Sequence, residues 1–105
     1  MFKLVLHPEA EKEIFELDDT MRGKVLSALD KLELLGNKLR YPATESLGGG
    51  LFELRVGKKD ISRTFFAFEI DSQIYILRTF VKKTQKTPPS ELKLARKRLE
   101  ELING

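Results

Sequence analysis

Leu51-Phe52-Glu53-Leu54-Arg55-Val56, the turn Gly57-Lys58-Lys59-Asp60 and the return Ile61-Ser62-Arg63 decide the fold of this chain. The first six residues alternate with the period of a pleated strand, so Phe52, Leu54 and Val56 face one way and Glu53 with Arg55 the other. Gly57 to Asp60 is too short for anything but a hairpin, which forces Ile61 to Ile70 back antiparallel. Asp71-Ser72 makes a second tight turn into Gln73 to Phe80. The result is a three-stranded meander in which Arg55 and Arg63 can share a sheet face, although sequence alone does not set the register.

Upstream, Phe2-Lys3-Leu4-Val5-Leu6 reads as a short first strand. Pro8 suits the first turn of a helix; Glu9, Glu11 and Glu13 lie where the positive end of its dipole favours them, and Ala10, Ile14 and Leu17 form its apolar stripe. Asp18-Asp19-Thr20 caps a second helix, whose stripe of Met21, Val25, Ala28, Leu29, Leu32 and Leu35 stops at Gly36-Asn37. The stretch from Asn37 to Gly50 reads as a 14-residue loop, long enough to suggest function. After the meander, Thr87-Pro88-Pro89-Ser90-Glu91 starts a last helix with Leu92, Ala95, Leu99, Leu102 and Ile103 along one face. The expected order is β-α-α-β-β-β-α, one α+β domain over residues 1–105 with helices packed on an antiparallel sheet.

Charge narrows the function. The 105 residues carry a net +3, but residues 1–50 hold 7 cations against 9 acids and residues 51–105 hold 12 against 7. Arg78 to Arg98 alone contains 8 cations and a single acid, Glu91. Such asymmetry points to a polyanionic partner, with a solvated helix face as the structural alternative. There is no cysteine, which removes disulfides, thiolate metal sites and thiol nucleophiles. A single histidine, His7, removes His-rich metal centres, so neither metal nor other cofactor is expected. No apolar run approaches a membrane span, and the reading is a soluble, cytoplasmic protein without membrane association.

Arginines offer a phosphate a bidentate fork and lysines a compact charge. The candidate catalytic set is therefore Arg55, Arg63, Lys82, Lys83 and Lys86. Lys38, Arg40, Lys58, Lys59, Arg78, Lys93, Arg96 and Lys97 are the candidate RNA-binding cations. Crowded cations depress one another's pKa, so at least one of these lysines is expected below its free value and able to move a proton. The alternatives are a surface ion pair of Glu53 with Arg55 and Arg63, worth at most about 1 kcal/mol, and a solvated lysine loop. Alternation makes at least two of Phe65, Phe66 and Phe68 core residues. Tyr41 and Tyr75 remain candidate base stackers, with packing favoured for Tyr75.

Taken together, Leu51-Phe52-Glu53-Leu54-Arg55-Val56, then Arg63, then Phe80-Val81-Lys82-Lys83-Thr84-Gln85-Lys86-Thr87-Pro88 with Glu91 resemble the phage-derived, HigB-like branch of the RelE/ParE toxin superfamily. The similarity is strongest from Gly50 to Leu99. It implies the toxin of a type II toxin-antitoxin pair: a ribosome-dependent endoribonuclease that cuts mRNA in the 30S A site and is neutralised by a helix-turn-helix antitoxin. It also implies that Arg55 and Arg63 hold the scissile phosphate and that Lys82, Lys83 and Lys86 form the basic cluster beside it. The last 30 residues contain no tyrosine or histidine, so the identity of the base and the acid stays open. Two other readings share this charge map, a ParE-like gyrase inhibitor and a non-catalytic nucleic-acid-binding module.

Overall fold

A computed structural model describes residues 1–82 and 86–105. The elements are β1 (Lys3–Leu6), α1 (Pro8–Phe15), α2 (Asp19–Leu35), a 3₁₀ turn (Gly36–Lys38), β2 (Thr44–Gly48), β3 (Leu51–Val56), β4 (Ile61–Glu69), β5 (Gln73–Lys82) and α3 (Pro89–Asn104). The expected meander is present as β3-β4-β5, antiparallel throughout.

Two features differ from the expectation. The stretch read as a loop contains β2, which pairs antiparallel with β3 through Thr44↔Leu54 and Glu45↔Glu53. Its sequence, Thr-Glu-Ser-Leu-Gly, has little intrinsic strand preference; pairing with β3 supplies what propensity does not. The sheet is also mixed, because β1 docks parallel to β5, giving the order β1-β5-β4-β3-β2.

Each helix forms for a local reason. His7 caps α1 by accepting the Glu9 amide on Nδ1 at 3.1 Å, and Asp18 caps α2 by accepting the Met21 amide at 2.8 Å. Gly36 ends α2 at φ +53°, and a Cβ there would lie 1.9 Å from the Phe2 ring, so only glycine fits.

The helices cover both faces of the sheet. Ala10 and Ile14 of α1 with Met21, Val25, Leu29 and Leu32 of α2 pack on Leu54, Val56, Phe66, Ile74 and Ile76. On the other face Ala95 of α3, flanked by Leu92, Leu99 and Leu102, packs on Leu51, Phe65, Ala67 and Leu77.

A bulge in β5 decides what the second face presents. Phe66 pairs with Ile76 but Phe65 pairs with Arg78, so Leu77 is an extra residue on β5. Unbroken alternation from Tyr75 and Leu77 would turn Arg78, Phe80 and Lys82 toward α1 and α2. The bulge reverses the phase. Arg78, Phe80 and Lys82 therefore share the α3 face with Phe65, Arg63 and Ile61, their cross-strand partners.

Candidate functional site

Arg55 and Arg63 are directly opposed on β3 and β4, on the same face. Glu53, two residues before Arg55, lies on that face too, and it is 1% exposed. Arg55 Nε donates to Glu53 Oε2 at 3.1 Å, and the second Arg55 nitrogen binds Glu45 of β2. Arg63 Nε stands 3.5 Å from Glu53 Oε1, in ion-pair contact without a hydrogen bond. The acid read from sequence as part of a surface pair is thus a buried carboxylate that sets the spacing of the two arginines. The alternative of a plain surface ion pair does not hold for Arg63, whose side chain is only 11% exposed.

Lys82 brings the third charge. Its amino group donates to Thr87 Oγ1 at 3.2 Å. Burial, the Arg63 charge and, more weakly, the Arg55 charge hold its pKa below the free lysine value, with Glu53 opposing them. The expected depression is present at Lys82, with burial as its largest cause and the expected crowding by Arg63 and Arg55 added to it. Lys83 lies outside the described residues, and Lys86 is exposed just beyond the strand.

The ends of β3 and β5 and the starts of β2 and β4 lie at one edge of the sheet. Lys58 and Lys59 are exposed in the β3–β4 turn, and Lys38 and Arg40 are exposed on the segment entering β2. On that segment Tyr41 is 71% exposed, and its ring centroid lies 5.7 Å from Arg55 Cζ. Tyr41 thus borders Arg55, and the four exposed cations lie on the turn and the segment at the same end of the sheet.

Other expected site residues are engaged inside the fold. Arg78 makes a two-nitrogen contact with Glu91 at 2.9 and 3.1 Å, meets Glu13 at 2.7 Å and lies over the Phe80 ring. Arg96 donates to the carbonyls of Gly48 and Gly49, clamping the β2–β3 turn to α3. The Arg78 guanidinium is held by two acids, whereas Arg96 remains exposed. Lys93 and Lys97 are exposed on α3.

Glu13, assigned by sequence to the helix dipole, instead seals a sheet edge. β1 ends at Leu6, so among the described residues β5 has no strand partner on that side from Leu77 onward. Glu13 Oε1 accepts the Thr79 amide at 3.1 Å, and Arg98 donates to the Leu77 carbonyl at 3.0 Å and to Glu13 at 2.8 Å. Nothing in the sequence spacing of Glu13 and Arg98 announces this contact. Burial of Glu13 is outweighed by the Arg98 and Thr79 hydrogen bonds and the Arg78 charge, which hold its pKa below the ordinary glutamate value.

Among the described residues, no group of three or more His, Cys, Asp or Glu side chains is placed to hold a metal ion. No helix in the described residues is long and apolar enough to cross a membrane. Two arginines held in place by Glu53 and an amine of lowered pKa are groups that can bind a phosphodiester through the arginine N–H groups the acids leave over, stabilise added negative charge on it and move a proton beside it.

No curated protein matches the chain. Among solved structures, the crystal structure of the archaeal RelE-RelB complex from Pyrococcus horikoshii OT3 contains a chain that aligns with a TM-score of 0.58 and 20% sequence identity, covering 78% of this chain and 96% of that one. At that identity the likeness is one of fold, and it matches the α+β architecture described above. The family described as Phage derived protein Gp49-like (DUF891) matches residues 12–100, which include α2, the whole β2–β5 sheet segment and most of α3. The chain belongs to the Phage derived protein Gp49-like family.

Proposed function

We propose that this single domain is the toxin of a type II toxin-antitoxin pair, of the HigB-like kind, and acts in the cytoplasm as a ribosome-dependent endoribonuclease on translated mRNA. The observation that carries the reading is the direct opposition of Arg55 and Arg63, with Lys82 brought onto the same face by the β5 bulge. The fold shared with a chain of a RelE-RelB complex supports both the toxin reading and an antitoxin as partner, for which a helix-turn-helix protein is the proposed class.

The chemistry follows from the residues. Lys82, whose lowered pKa raises its neutral fraction, takes the proton of the ribose 2′-hydroxyl. The freed oxygen attacks the adjacent phosphorus while Arg55 and Arg63 bind the phosphoryl oxygens and stabilise the charge that builds on them. The bond to the 5′-oxygen breaks, that oxygen takes up a proton, and a 2′,3′-cyclic phosphate remains. Lys58, Lys59 and Lys86, with Lys38 and Arg40, draw the strand in. Side-chain cations supply the charge neutralisation, so cleavage proceeds without a metal ion.

Induced expression followed by mapping of mRNA ends tests this. Arrested translation with mRNA cut at positions in phase with codons is the expected result. DNA damage with intact mRNA would assign the protein to the ParE-like gyrase inhibitors, and harmless expression would make it a non-catalytic binder.

A further inference from the structure

On the face of β2 opposite Glu53, a cavity of about 480 Å³ opens beside the strand. Three phenylalanines form its floor. Phe52 and Phe66 stack at 5.6 Å and 21°, and Phe68 meets both edge-on at 5.4 and 5.6 Å. Tyr41 lines the cavity too, together with the polar residues Asn37, Arg40 and Ser46. This volume falls in the range of small-ligand sites, and an aromatic floor with a few polar lining groups suits a flat heterocycle.

The cavity adjoins the arginine site. Tyr41 is part of its wall and also carries Arg55 over its ring; Glu45 is part of its wall and also binds Arg55. Single-stranded RNA is recognised through bases splayed from the strand and stacked on aromatic side chains while cations hold the phosphates. We propose that the aromatic cavity beside Tyr41 receives the nucleobase next to the phosphate gripped by Arg55, and so sets which RNA sequences the protein prefers. This inference rests on the phosphate-gripping role given above to Arg55. An apolar side chain of a partner protein is the other occupant such a cavity would suit. The cations Lys38 and Arg40 on the segment at its mouth, and the wall shared with Arg55, favour the base.

The test is side-chain NMR of the full chain, titrated with inorganic phosphate and with each of the four nucleoside 5′-monophosphates. A Ser46→Trp variant serves as the blocked form. Ser46 is exposed on the edge strand opposite Phe52, so the indole covers the cavity without entering the core. Inorganic phosphate should shift the Arg55 and Arg63 Nε signals and leave the Phe52, Phe68 and Tyr41 rings silent. At least one monophosphate should also shift the Phe52, Phe68 and Tyr41 rings and bind at least tenfold more tightly than phosphate; Ser46→Trp should abolish both effects. Monophosphates no tighter than phosphate, with silent rings and a responsive Arg55, would overturn the cavity proposal and leave the phosphate reading standing. Ring shifts unchanged in Ser46→Trp would overturn it equally. An Arg55 signal indifferent to phosphate and to every nucleotide would overturn both.

Discussion

Glu53 offers the sharpest perturbation, because it stands between the two arginines and beside the lysine. Glu53→Gln keeps the shape of the side chain and removes its charge. The carboxylate is 1% exposed and Arg63 has no other acid in ion-pair contact among the described residues, so the change strands a mostly buried guanidinium. Breaking a buried ion pair costs about 3–5 kcal/mol. Arg55 keeps Glu45 and is more open to solvent, which places the expected loss near the lower end, about 3 kcal/mol. For a domain of this size that lowers Tm by on the order of 10–20 °C. Glu53 is also the group that holds the Lys82 pKa up, so in Glu53→Gln that pKa should fall further. Urea denaturation measures the first effect, and NMR titration of the Lys82 amino group measures the second. Glu45→Gln is the control: Glu45 is 42% exposed and should cost no more than about 1 kcal/mol. A Glu53→Gln protein as stable as Glu45→Gln, with an unmoved Lys82, would refute the claim that Glu53 organises the site.

Three further outcomes follow from the same geometry. The folded-state pKa of Glu13 is depressed, so its contribution to stability is complete above its ordinary value of 4.5 and is lost as pH falls through the lower folded value; Glu13→Gln should cost about 3 kcal/mol at neutral pH and flatten the acid limb of the stability profile. Cleavage should rise with pH as Lys82 loses its proton below 10.5, the free lysine value, and Lys82→Met should remove that rise. Binding to single-stranded RNA should weaken with salt with a log–log slope of roughly −2 if three cations contact phosphates, and Arg55→Ala should make it shallower by about 0.7.

The meander and the possibility that Arg55 and Arg63 share a sheet face were legible because period-two alternation and short turns leave little freedom; the register that opposes them directly was not. The three helices were legible from their stripes and caps. β2 was not, since Thr44 to Gly48 becomes a strand through its partner rather than its own propensity. The bulge at Leu77 was equally hidden: alternation through Tyr75-Ile76-Leu77-Arg78 is unbroken on paper, and only packing against β4 and α3 shows that the phase reverses. That reversal puts Lys82 with the arginines. The basic run from Arg78 to Arg98 overstated the open charge for a related reason. Composition counts cations without their distant partners, and Arg78 and Arg98 both meet Glu13, 65 or more residues away in sequence. Glu53 looked like half of a surface pair because β3 appeared to have one solvated face, whereas β2, β4 and the arginine side chains enclose it.

Single-turnover cleavage of ribosome-bound mRNA by the wild-type protein, Arg55→Ala and Lys82→Met, with folding verified by circular dichroism, tests most directly whether three separated cations act on one RNA linkage. Each variant, still folded, should cleave at least about 10²-fold more slowly than wild type, the scale of losing a positioned charge donor or a proton-transfer group. Folded variants that cut within about threefold of the wild-type rate, where losing a positioned charge donor costs about 10²-fold, would contradict the account.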